Sequence, residues 1–196
     1  MQNAFIHPNG SMQNHYLPDT SHFAGIRRAI AGCKAAIDRA RLNQHPVIFT
    51  RTVYHHGYVD AGHFAPGEHL ADNLAALRDA GGILAGTWDI EIVDELAPED
   101  GDIVIDKTRF DAFLNTPLDP ILRHLKVRSL TICGVITNFC VETTVRGAFV
   151  RDYIVTLLGD ACAAYTEREH EISLESLAAT GMATVVSTAG TSVGRS

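Results

Sequence analysis

The chain has few of the residues that staple, span or wrap. Its 196 residues include four cysteines, Cys33, Cys133, Cys140 and Cys162, and no two form a C-x-x-C pair. That excludes a disulfide framework and the usual zinc patterns, and fits a reducing compartment. No apolar run approaches the roughly 18–20 residues of a membrane-spanning helix. The opening residues, MQNAFIHPNGSM, have neither the basic nor the apolar region of a secretory signal. Basic residues are outnumbered, 16 Lys and Arg against 23 Asp and Glu, and the net charge of −7 argues against a broad nucleic-acid footprint. Repeats, low-complexity tracts and charge blocks are also missing. What is left is a globular balance, 46% hydrophobic and 20% charged, at a length that makes one domain, 1–196. These features predict a cytoplasmic protein whose partner is a small molecule, not a nucleic acid or a membrane.

The apolar pattern predicts alternating strands and helices. Short apolar runs at Val47–Thr50, Ile103–Ile105, Leu130–Val135, Ile154–Leu158 and Ala183–Val186 read as strands. Between them, helical spacing runs from a cap at Thr20 or Ser21 to Asn43, from Leu118 to Leu125, from Asn138 to Asp152, and from Arg168 to Thr180, where Gly181 ends the helix. A short helix is expected at Leu70–Ala80. Continuous apolar runs imply strands buried on both faces, so the fold class is α/β, a three-layer α/β/α sandwich with a mainly parallel, Rossmann-like sheet. Residues 52–88 are rich in His and Gly with weak periodicity, as a substrate loop or lid would be.

Ligands of open α/β sheets bind beyond the carboxyl ends of the strands. Lys107 and Cys140 both fall there. Cys140 lies in the first turn of a helix, where free N–H groups and the helix dipole stabilise a thiolate and can cradle an oxyanion. From spacing alone, a nucleophile and a small buried core thiol are equally good accounts of it. For Cys33, Cys133 and Cys162, in apolar surroundings, the core account is better.

Three strings carry more. GTWDIEIVDEL at 86–96, DIVIDK-x-RFDAFLNTPLD at 102–119, and GVITNFCVETTVRGAFVRDYIVTLLGDACAA at 134–164 together resemble the isochorismatase-like cysteine hydrolase superfamily, in particular its amidohydrolases of ureido and carbamoyl compounds. The resemblance implies that Cys140 is the nucleophile of a cysteine-dependent C–N hydrolase working through a thioester, and that Lys107 is the lysine of its triad. It also implies a cis peptide between Val135 and Ile136, oxyanion donors at the N–H groups of Ile136 and Cys140, no cofactor, and a homo-oligomer, dimer or tetramer. Asn138 matches a position that shapes the elbow, and serves equally as a helix cap. The superfamily's third triad member, an Asp ending its first strand, would fall immediately before Met1. The expectation is therefore a sheet without its first strand, in a chain that starts inside a longer one. The alternatives are an inactive scaffold of the same fold, or an isochorismatase-type vinyl-ether hydrolase, against which the elbow cysteine argues.

Nicotinamidases of the superfamily bind a metal through an Asp-x-His…His pattern. Here the corresponding stretch reads Thr50-Arg51-Thr52-Val53-Tyr54-His55-His56, with Asp60 and His63 only afterwards, so no metal is expected. Arg51, Tyr54, His55, His56 and Trp88 are candidates for the substrate pocket. Arg109 is another, either for a substrate carboxylate or in an ion pair.

Overall fold

The computed structural model of the protein describes residues 1–12, 21–62 and 75–190. The described residues hold five strands, each parallel to the strand it pairs with: β1 (Ile48–Thr52), β2 (Ile103–Lys107), β3 (Ser129–Val135), β4 (Ile154–Ala163) and β5 (Thr184–Val186). The helices are α1 (Asn3–Ile6), α2 (Ser21–Leu42), α3 (Leu118–His124), α4 (Glu142–Phe149) and α5 (Glu167–Ala179). Residues 75–79 are also helical, the end of the helix expected at 70–80; residues 70–74 lie outside the described residues.

The sheet is divided. β1 pairs with β2, and β3-β4-β5 form a second sheet. Two shared apolar layers hold the parts together. On one face Ile48, Ile103 and Ile105 join Leu130, Ile132, Leu157 and Val185 beneath α3, α4 and α5. On the other, Phe49 joins Cys133, Val135, Leu158 and Ala161 beneath α2, through Ile26, Ala29 and Cys33. Strand parity decides which residue enters which layer. At the open side of β1, the buried Gln2 side chain donates from Nε2 to the Thr52 carbonyl and accepts the Thr52 N–H, both at 2.7 Å, as a neighbouring peptide unit would.

Several expected boundaries move. β1 runs two residues past Thr50, and β4 runs to Ala163 instead of Leu158. Gly159 lets β4 pass the expected end: it lies against Leu174 and Val185, where no side chain would fit without displacing them. The helix expected at 138–152 is a π turn, Thr137–Val141, followed by α4, which stops at Phe149. α5 begins one residue early because Thr166 and Glu169 form a reciprocal capping box. Of the two caps proposed for α2, Ser21 is its first residue and Thr20 lies outside the described residues. The described part of 52–88 is packed, not loose. Tyr58, Leu77, Ile83 and Ile90 form a small core with Ala4 and Met12, and the Tyr58 hydroxyl donates to the Gly82 carbonyl at 2.7 Å. No helix among the described residues is long and apolar enough to cross a membrane.

α2 lies close against the sheet at Gly32, where an added Cβ would meet the Cβ and Cα of Ala161 at 2.8 and 2.9 Å. Backbone cannot swing aside as a flexible side chain can. Gly32→Ala is therefore expected to destabilise the fold by about 1–3 kcal/mol despite its better helix propensity, measurable as a lower denaturation midpoint.

Candidate active site

Lys107 is the last residue of β2 and is only 4% exposed. Its Nζ lies 2.8 Å from the Arg109 carbonyl, 3.2 Å from Thr52 Oγ1 and 3.3 Å from Cys140 Sγ. Thr52 is its register partner across the β1–β2 pair, so the hydroxyl and the ammonium leave the sheet on the same face. Among the described residues Lys107 has no carboxylate partner, which makes the Cys140 sulfur the one contact able to carry a negative charge against the ammonium.

Cys140 is presented by an elbow. β3 ends at Val135, the Val135–Ile136 peptide is cis as expected, and the π turn of residues 137–141 follows. Phe139 N and Val141 N both point to the Ile136 carbonyl, at 3.1 and 3.2 Å, while the Ile136 N–H meets no acceptor among the described residues. π turns inside helices are frequent at functional sites because they displace one residue from the regular ladder. Side chains then fix the turn. The Phe139 ring stands 5.2 Å from that of Phe110 and 6.2 Å from that of Tyr165. Thr137, fully buried, sets Oγ1 2.9 Å from Nδ1 of His170 on α5. Ser173, one turn further on, donates to Glu142 Oε2 at 2.6 Å.

Of the other predicted pocket residues, Tyr54 and Arg109 come to this place. Burial pushes the Tyr54 hydroxyl up to about 12, helped by the Cys140 sulfur and Asp60 and opposed by Arg109, so the phenol stays protonated at neutral pH. The Arg109 guanidinium donates from Nη1 to the Asp60 and Thr108 carbonyls and rests against Gly62, with no carboxylate partner among the described residues. Asn138 makes no cap; its Oδ1 is buried and unpartnered. The remaining four are not brought to Cys140 by any contact. Arg51 has the opposite strand parity to Thr52 and forms a two-pronged pair with its register partner Asp106, at 2.7 and 3.0 Å. His55 is largely exposed and pairs with Asp60 at 2.6 Å. His56 is exposed, and Trp88 stacks edge-on with His7. Among the described residues no three His, Cys, Asp or Glu are grouped as metal ligands would be; His63 lies outside them.

Sequence reasoning missed Thr52, Thr137, His170 and Ser173. For the last two a signal exists: His170, Ser173 and Leu177 lie at i, i+3 and i+7, so two polar residues stand on the buried stripe of α5. Polar groups on an apolar face need partners, and here the partners are the elbow. Burial holds the His170 imidazole below its ordinary 6.5; the unfolded chain then binds the proton more readily, and stability falls as pH drops below that value. Asp60, Asp102 and Asp119 are held below 3.8 and lose their contribution only in stronger acid. The melting temperature is therefore expected to fall between about pH 7 and 5 in the wild type, and less steeply in His170→Asn.

The family model described as the isochorismatase domain matches residues 1–190. Over 169 residues the chain is 39% identical to the ureidoacrylate amidohydrolase RutB of Rhizobium rhizogenes, covering 82% of this chain and 66% of that protein, so it spans just under two thirds of that relative's length. An isochorismatase family protein from Desulfovibrio vulgaris superposes with a TM-score of 0.75 at 30% identity, over 91% of this chain and 90% of that one. A cysteine hydrolase from Pseudomonas syringae pv. phaseolicola gives 0.75 at 27% identity, over 89% and 84%.

Proposed function

The chain belongs to the isochorismatase family, and on that premise we propose that it is a cysteine-dependent hydrolase of a C–N bond in a small amide, ureido or carbamoyl compound. The observation that carries this reading is the 3.3 Å contact between Lys107 Nζ and Cys140 Sγ, part-buried where β2 and the elbow converge. Its similarity to an enzyme named for ureidoacrylate favours the ureido class.

In this reading the Lys107 ammonium stabilises the Cys140 thiolate. The sulfur attacks the carbonyl carbon, and the oxyanion forms against the N–H groups of Ile136 and Cys140. Such donors, aimed at developing charge in a site shielded from water, supply several kcal/mol of barrier reduction. The C–N bond breaks, ammonia leaves with a proton, and water releases the acid or carbamate from sulfur. The proton transfers need a general acid–base group besides these two, since no carboxylate among the described residues contacts Cys140 or Lys107. Arg109, half-buried and without an acid partner beside Tyr54 and Cys140, is suited to a substrate carboxylate.

Ammonia release from small ureido acids tests the reading. Cys140→Ala should abolish it, and full activity in that variant would refute the covalent scheme. Lys107→Ala should lower kcat on the order of a hundredfold or more. Arg109→Gln should raise KM for ureido acids roughly ten- to a hundredfold, the worth of a charge-assisted hydrogen bond of about 1.5–3 kcal/mol, while leaving KM for uncharged ureido compounds unchanged.

A further inference from the structure

We propose that His170 is a positioning residue for the Cys140 elbow: its Nδ1 accepts the Thr137 hydroxyl, and through that bond α5 sets the angle at which the turn presents Sγ to Lys107. The inference rests on the reading of Cys140 as nucleophile and adds a residue to it.

The geometry requires a support of this kind. The turn begins at Thr137 with doubled hydrogen bonds to a single carbonyl, that of Ile136, so its backbone ladder is irregular at the residue before Cys140's own turn. The Thr137 hydroxyl has one partner among the described residues, His170 Nδ1 at 2.9 Å, and both groups are buried, 0% and 6% exposed. A hydroxyl that donates to Nδ1 requires the neutral ring with its proton on Nε2. One turn along the same helix, Ser173 binds Glu142 Oε2 at 2.6 Å and lies 3.4 Å from the Thr137 carbonyl. Glu142 is held in turn by Arg146 at 2.7 Å. A single face of α5 thus grips the residue that opens the elbow and the residue that follows it. Buried networks satisfied in this way specify one arrangement and penalise the others.

The same bond makes the support sensitive to protons. A cavity of about 190 Å³, lined by Arg28, Tyr165, Glu167 and His170 among others, reaches the ring from the side of α2. The charged groups facing His170 are Glu167 and Glu171 on its own helix and Arg28 on α2. A protonated ring has no lone pair at Nδ1, so the Thr137 hydroxyl must turn and the grip on the elbow changes.

The test compares His170→Ala, His170→Asn, Thr137→Val and the double variant His170→Ala/Thr137→Val with the wild type. Two readouts are used: the rate of Cys140 alkylation by iodoacetamide, followed by peptide mass spectrometry, and kcat and KM for small ureido acids. His170→Ala and Thr137→Val should each slow alkylation and kcat about tenfold, as loss of one buried hydrogen bond would, with KM unchanged. The double variant should be no slower than either single one. Asparagine offers an acceptor in the same place, so His170→Asn should recover to within about twofold of wild type. It should also lose the extra fall in alkylation rate expected of the wild type below pH 6.5, the ordinary value for the ring. Wild-type rates in His170→Ala, an asparagine variant no better than the alanine one, or additive losses in the double variant would each overturn the proposal. Alkylation needs no turnover. Hydrolysis surviving in Cys140→Ala would sink the proposed function while the alkylation series still decided the role of His170; a dead Cys140→Ala beside an unaffected His170→Ala would sink this inference alone.

Discussion

Removing the Lys107 ammonium from water costs on the order of several kcal/mol unless other polar atoms take over its hydration, and at 4% exposure nearly all of that shell is gone. Three atoms replace it: a hydroxyl from the end of β1, a carbonyl from the segment after β2, and a sulfur from the turn after β3. None of the three is a carboxylate. The arrangement therefore requires strand ends from both halves of the divided sheet to meet at one point. A shift of β1 by a single residue would replace the Thr52 hydroxyl with a side chain of opposite parity and leave the ammonium short of a partner.

The apolar layers make that meeting possible. Because β1-β2 and β3-β4-β5 share one core under α3, α4 and α5 and another under α2, the strand ends that carry Thr52, Lys107 and the elbow are held together although the two sheets do not pair. The finer adjustment is polar. Gln2 fixes the peptide of Thr52, the Arg109 carbonyl fixes the lysine, and His170 with Ser173 fixes the turn. Coarse placement by burial and fine placement by directional bonds is the division expected where reacting atoms must be held to fractions of an ångström.

Much of this was legible in the chain. Five apolar runs gave the five strands, and the strings around Lys107 and Cys140 put both at the carboxyl edge of the sheet. The pocket residues were less legible, for a physical reason. Arg51 and Thr52 are neighbours in a strand, and only one of two neighbours can face the site; composition favoured the arginine, while parity selected the threonine. His55 and Arg51 looked available in sequence because their partners, Asp60 and Asp106, are five and fifty-five residues away. The long β4 was hidden by Gly159 and Asp160, which interrupt an apolar run without interrupting the strand. The π turn left no pattern, since one displaced residue does not alter helical periodicity enough to be seen.

The lysine takes the peptide oxygen of residue 109, not its side chain. Any amino acid at that position supplies the same oxygen. The side chain beyond it makes its own bonds, to the Asp60 and Thr108 carbonyls, and none to the ammonium or the sulfur. A substitution at 109 therefore changes the surface beside Tyr54 and Cys140 while the peptide oxygen that holds the lysine stays where it is.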